Sequence, residues 1–159
     1  MTDLTLSQTT VQKLITPHDQ FIRAVFNTQR SYYIDIYQRE YKWTEKQVRT
    51  LLNDLEVRFE LGKRQRTAPN EIRQDVLEHF DPYFLNTYLT HTSPSATSIV
   101  DGQQRLTTLL LILIKLYQIL QALEGVPDAH GKTFKAGALR PLIFDNGLSE
   151  YRLHRSFPR

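Results

Sequence analysis

The chain is expected to fold as an α+β domain, a small and mostly antiparallel sheet packed with helices. Three observations point there. Stretches rich in β-branched and aromatic residues recur at Ser31–Ile36, Tyr83–Thr90 and Ala96–Val100, each of strand length. Apolar residues elsewhere fall at helical spacing: Val48, Leu51, Leu52, Leu55 and Phe59 in one segment, and a longer run after Arg105 in another. The last two strands are separated only by a short loop with serines and Pro94, which makes them antiparallel neighbours in a hairpin.

Taken in order, Val11–Ile15 fits either a first strand or a helical turn. Thr16 and Pro17 suit the N-cap and first position of a short helix that ends near Phe26, with Phe21, Ile22, Val25 and Phe26 on one face. Ser31–Ile36 then carries Tyr32, Tyr33 and Ile34 into Tyr37-Gln38-Arg39. Thr44 and Gln47 have the spacing of a capping box, so a helix is expected over Thr44–Leu61, with Gly62 as its stop. Trp43, just before the cap, is placed to pack on Val48 as core or wall, with base stacking as the alternative. Gly62–Arg66 is expected to be a basic loop, either simply solvated or tracking phosphates. Asn70 could cap a further helix with Ile72, Val76, Leu77 and Phe80 on one face, stopped by Asp81-Pro82.

The stretch from Ser98 to Leu109 organises the rest. A β-branched run meets Asp101-Gly102, and a helix follows from near Gln103. The unpaired N–H groups and positive dipole end of that helix therefore sit beside Asp101 and Arg105. Such an arrangement suits a phosphate site, or else an ordinary strand-to-helix connection with a solvated arginine. Leu109–Ile114 is apolar throughout, but Lys115 and Gln118 interrupt it well short of the ~20 residues that a membrane span needs. A core helix roughly 30 Å long, reaching Leu123 and ended by Gly125 and Pro127, is expected instead. Residues 126–138 suit a loop, and Leu142–Phe144 and Tyr151–Leu153 flank Asp145-Asn146-Gly147 as a hairpin. The organisation expected is thus a domain over 1–125, and a loop and hairpin over 126–159 that begin a further C-terminal part.

Composition bounds the function classes. The 159 residues suit one domain, and 40% hydrophobic and 23% charged residues are ordinary for a globular chain. Without cysteine there is neither a disulfide framework nor a thiolate metal site, which fits a reducing cytoplasm. Met1-Thr2-Asp3-Leu4 has no basic start and no apolar signal segment, so a cytoplasmic location is expected, with no membrane partner. A net charge of +3 permits nucleic-acid binding without arguing for it. No G-x-x-x-x-G-K-[ST] loop and no G-x-S-x-G elbow occur, and the five histidines are scattered.

Asp101-Gly102-Gln103-Gln104-Arg105-Leu106-Thr107-Thr108-Leu109 resembles the signature of the GmrSD-type restriction-enzyme N-terminal domain. A second block of that family is matched by Tyr37-Gln38-Arg39-Glu40-Tyr41-Lys42-Trp43 followed by Gln47-Val48, and a third, weaker one by Tyr83-Phe84-Leu85. Asp35 and Glu40 stand where the family usually has proline. The resemblance implies a ParB/sulfiredoxin-like nucleotide-binding domain, associated with nucleotide hydrolysis and with restriction of foreign DNA in anti-phage defence. It implies an NTP as cofactor, to which side-chain chemistry adds Mg²⁺, and a nuclease domain or subunit as partner, the matched region containing no nuclease of its own. Side-chain chemistry then assigns roles. Arg105 and Arg39 would bind phosphate, assisted by the Gly102 and Gln103 N–H groups, with Tyr37 and Gln38 from the second block. Asp101 would hold Mg²⁺ or orient water, and Gln104 would position the attacking water, so Asp101, Gln104 and Arg105 form the expected catalytic set. A module that binds nucleotide or DNA phosphate without turnover is the alternative.

Lys63, Arg64 and Arg66 are the expected DNA contacts, with Arg152, Arg155 and Arg159 adding charge nearer the C-terminus. DNA binding through them should weaken steeply with salt, log K falling by about 0.9 per neutralised phosphate per decade of salt. Gel retardation across a salt series checks this, and a flat response removes DNA from the partners.

Overall fold

Four strands form one mixed sheet, two more form a separate hairpin, and helices share a core with the main sheet. The computed structural model describes residues 17–26, 31–35, 37–64, 82–93, 97–127, 131, 133, 135–145 and 150–155. The strands are β1 (Tyr32–Ile34), β2 (Leu89–Thr92), β3 (Thr97–Asp101), β4 (Phe144–Asp145), β5 (Glu150–Tyr151) and β6 (Leu153–Arg155). The helices are α1 (Ile22–Phe26), α2 (Glu45–Arg64), α3 (Gln103–Ala122) and α4 (Arg140–Ile143), with a 3-10 turn at Ala136–Ala138. The α+β class is as expected.

The main sheet has the order β2-β3-β1-β6. The β2–β3 hairpin is antiparallel, as its short connection requires, with Thr92 opposite Thr97. However, β1 runs parallel to both β3 and β6, Tyr32 lying opposite Thr97 on one side and Leu153 on the other. The sheet is therefore mixed rather than mostly antiparallel. Strands as far apart in the chain as β1 and β3 have a crossover long enough to return in the same direction. Strand β6 lies beyond residue 125 and is nonetheless hydrogen-bonded to β1 within this sheet. The C-terminal hairpin forms as β4 and β5, Phe144 and Tyr151 meeting edge-to-face at 5.7 Å. Leu142 and Ile143 belong to α4 instead of a strand.

Three local expectations are corrected. Helix α1 begins at Ile22, and residues 17–20 are not helical, so Pro17 does not open it. Helix α2 runs through Gly62 to Arg64, because a glycine in a final turn forfeits only about 1 kcal/mol and does not force a stop. Gly62, Lys63 and Arg64 are consequently helical rather than a loop. Residues 82–88 form an irregular segment, not the first part of a strand, and Asn86 takes φ 78° within it. The segments at Val11–Ile15 and Asn70–Phe80, and residues Thr16, Arg66 and Arg159, lie outside the described residues. The start of α2 is as the capping pattern suggests: the Thr44 N–H donates to Gln47 Oε1 at 2.9 Å.

The core gathers Val25 and Phe26 of α1, Tyr32 of β1, Leu51 of α2 and Ile99 of β3 with Leu106, Leu109 and Leu110 of α3. Ile143 and Leu153 complete it from the C-terminal end. Helix α3 is long and apolar enough to cross a membrane by length and composition alone. Its first half is nonetheless buried in this core, whereas Leu111, Leu116 and Ile119 further along are exposed. The all-round apolar run is thus covered at its base and not along its length.

Gly102 joins β3 to α3 with φ 87°, and a Cβ built on it would lie 2.6 Å from Tyr88 Cβ. Gly125 has a similar φ of 85° with nothing within 4 Å. We expect Gly102→Ala to destabilise the fold by about 1–3 kcal/mol through conformation alone, and further through the clash. Gly125→Ala should fall at the low end of that range. Urea unfolding of the two variants side by side checks the order; equal losses would mean that Tyr88 gives way freely.

Candidate functional site

At the end of β3 the chain turns through Gly102 and α3 begins at once, with no side chain capping its first turn. Helix starts leave N–H groups without intrahelical partners, so open donors and a positive dipole end remain here. A cleft of about 400 Å³ lies at this helix start. Its walls are the turn itself, from Val100 to Arg105, the segment after β1 through Gln38, Arg39 and Trp43, and the pair Asn86 and Thr87.

The segment from Gln38 to Trp43 has no regular secondary structure, and side chains of the turn hold it in place. Gln103 Nε2 donates to the Arg39 carbonyl at 2.8 Å, and Gln104 Nε2 to the Glu40 carbonyl at 3.0 Å. Gln104 Oε1 accepts from the Lys42 N–H at 2.6 Å and from the Trp43 N–H at 3.3 Å. In return Gln38 Nε2 donates to the carbonyls of Ile99 and Val100, the latter at 3.3 Å. One turn into α3, the buried Thr108 donates to the Gln104 carbonyl at 2.8 Å, and its Oγ1 lies 2.9 Å from the Tyr41 hydroxyl. Gln103 and Gln104 are only 8% and 7% exposed, so the side-chain ends of these bonds are largely shielded from water, while the Arg39, Glu40 and Lys42 side they hold is exposed.

Both lone pairs of Gln104 Oε1 are engaged by backbone N–H groups. That oxygen is the atom by which this side chain would orient a water. Arg39 is exposed and Arg105 half-buried, and both line the cleft; the Arg105 guanidinium lies 5.9 Å from the centre of the Trp43 ring. Trp43 is therefore a wall residue, partly buried against the core. Asp101 is exposed at the end of β3 and is the one carboxylate among the described lining residues. Among the described residues there is no group of three or more His, Asp or Glu side chains that could hold a metal by themselves.

Other expected residues lie elsewhere. Tyr37 is 77% exposed, lies outside the cleft lining and donates its hydroxyl to Asp35 at 3.1 Å. That hydrogen bond, with the negative charge of Asp35, raises the phenol above its ordinary pKa. Lys63 is on α2, paired with Glu60 at 2.9 Å and 5.6 Å from the centre of the Phe59 ring. Arg64 ends the same helix. Tyr83, of the third block, donates to Asp54 of α2 at 2.9 Å, and this bond raises its pKa too. It thereby ties the 82–88 segment to α2. Asn86 and Thr87 are the lining residues that the strand pattern concealed. Asparagine tolerates left-handed backbone better than most residues, which was the available signal.

An α+β domain with a donor-rich, arginine-lined cleft at a helix start defines the class of protein. Residues 22–156 match the model of the GmrSD restriction endonuclease N-terminal domain, and the chain belongs to this family, as part of a restriction system. No curated protein and no solved structure matches the chain significantly.

Replacing Gln104 by leucine should leave the Lys42 and Trp43 N–H groups and the Glu40 carbonyl without partners, at about 1–3 kcal/mol for each that stays dry. Denaturant unfolding should show a large loss for Gln104→Leu and a near-neutral result for Tyr37→Phe at the exposed surface. A stable Gln104→Leu variant would mean that water replaces the glutamine at no cost.

Proposed function

We propose that the cleft binds the phosphates of a nucleoside triphosphate and that the domain is the nucleotide-hydrolysing sensor of its restriction system. One observation carries this reading: Arg39 and Arg105, distant in sequence, line one cleft at the uncapped start of α3. Two guanidinium groups in one cleft repel each other, and an anion between them removes that cost. The open N–H groups of the first helical turn add neutral donors aimed at the same place.

Asp101 is the carboxylate available to a Mg²⁺ ion, which would take its other ligands from phosphate oxygens and water, as this ion commonly does. Bound there, the ion would neutralise charge on the transferring phosphoryl group. Gln103 and Gln104 serve as positioning residues: they hold the Arg39 and Trp43 segment where its side chains meet the helix start. The occupied Oε1 of Gln104 leaves Asp101 to orient any attacking water, and it favours a second reading in which nucleotide is bound without turnover. Cleavage of DNA in either case falls to a nuclease domain or subunit.

Arg105→Ala should weaken nucleotide binding by about 1.5–3 kcal/mol, the range for hydrogen bonds to charged groups, with little change in folding. Calorimetric titration checks the affinity, and release of labelled phosphate by the wild-type chain, with and without DNA, separates turnover from binding. Unchanged affinity in Arg105→Ala would sink the phosphate role.

A further inference from the structure

The Asn86 and Thr87 wall of the cleft carries no charge, and nothing in the phosphate reading uses it. Asn86 is the one non-glycine residue with positive φ among the described residues, at 78°. Its Oδ1 accepts the Thr87 N–H at 2.8 Å, which uses the oxygen end of the amide locally. Tyr88, two residues on, is packed against Gly102, so this wall is pressed onto the turn that opens α3. Asn86 is exposed, and its amide nitrogen makes no hydrogen bond to the described residues, so its two N–H donors are open to a ligand at the cleft mouth.

The cleft lining is thus chemically mixed. Arg39, Arg105 and the helix start offer charge and dipole suited to phosphate. The Asn86 amide is a neutral donor, and Val100 and Trp43 supply apolar surface, with the Arg105 guanidinium 5.9 Å from the centre of the Trp43 ring. A neutral amide discriminates by the position of an acceptor rather than by charge, and apolar walls suit the face of a base or sugar. We infer that Asn86 reads the nucleoside end of a nucleoside triphosphate in this cleft, its Nδ2 donating to an acceptor on the base or the ribose. The inference rests on the nucleotide reading above.

Asn86→Gly is the informative variant, since glycine adopts this backbone without strain and the amide is lost together with its bond to the Thr87 N–H. The full chain, wild type and variant, is titrated calorimetrically with each of the four common ribonucleoside triphosphates and with inorganic tripolyphosphate. Asn86→Gly should weaken nucleotide binding about ten-fold, the size of one hydrogen bond, and leave tripolyphosphate binding unchanged. Flattened preference among the four bases assigns the contact to the base, and an equal loss for all four assigns it to the ribose. Unchanged nucleotide affinity, or an equal loss for tripolyphosphate, overturns the inference while the phosphate reading stands. A wild-type chain that binds neither nucleotide nor tripolyphosphate overturns the nucleotide reading itself, and this inference with it.

Discussion

Two buried glutamine side chains hold the site together. The segment from Gln38 to Trp43 lacks a ladder of its own, and its backbone groups at Arg39, Glu40, Lys42 and Trp43 are met by Gln103 and Gln104. An uncharged amide suits this work because it can donate and accept at once, without the desolvation cost that a buried carboxylate or ammonium brings. Each bond is worth little net, but each costs more to leave unmade the less water reaches it. The positions of Arg39 and Trp43 are therefore consequences of α3 rather than of the strand that precedes them.

That arrangement makes α3 both a core element and one side of the cleft. Leu106, Leu109 and Leu110 place its base in the core shared with α1, β1 and β3, and the helix packs on α4 and the 3-10 turn, while the turn above them carries the polar residues. The requirement for glycine at 102 follows from two separate causes, its φ of 87° and the nearness of Tyr88. Tyr88 in turn is half-buried, with its ring edge-on to Tyr32 at 6.4 Å, and burial raises its phenol above the ordinary pKa. Sheet, turn and cleft wall are thereby coupled through packing. A change at Gly102 is felt by the Asn86 and Thr87 wall as well as by the helix.

The electrostatic character of the cleft comes from a small number of groups. Among the described residues the lining holds two arginines, Arg39 and Arg105, and one carboxylate, Asp101, and the helix start adds donors without charge. Lys63, which counts toward the basic composition, is instead neutralised locally by Glu60 at the end of α2. Net charge is thus a poor guide to where an anion is held, since placement decides which cations are left to act.

Much was legible in the chain itself. The β3 strand, the Asp101-Gly102 turn, the start of α3 at Gln103 and the cap at Thr44 follow from local chemistry: glycine conformation, β-branched runs, side-chain capping and a 3.6-residue stripe. Such signals act over a few residues, so a single sequence displays them. The family blocks quoted above were equally visible. What the tertiary structure alone decided was everything that depends on residues distant in sequence. The parallel course of β1 between β3 and β6 is set by crossovers and not by any residue in the strands. The exposure of Leu116 and Ile119 depends on which neighbours reach the far half of α3. The use of Gln104 as a clasp, and the arrival of Asn86 and Thr87 at the cleft, arise because packing brings three separate segments to one helix start. Local propensity specifies elements, and only their burial against one another specifies which side chains meet.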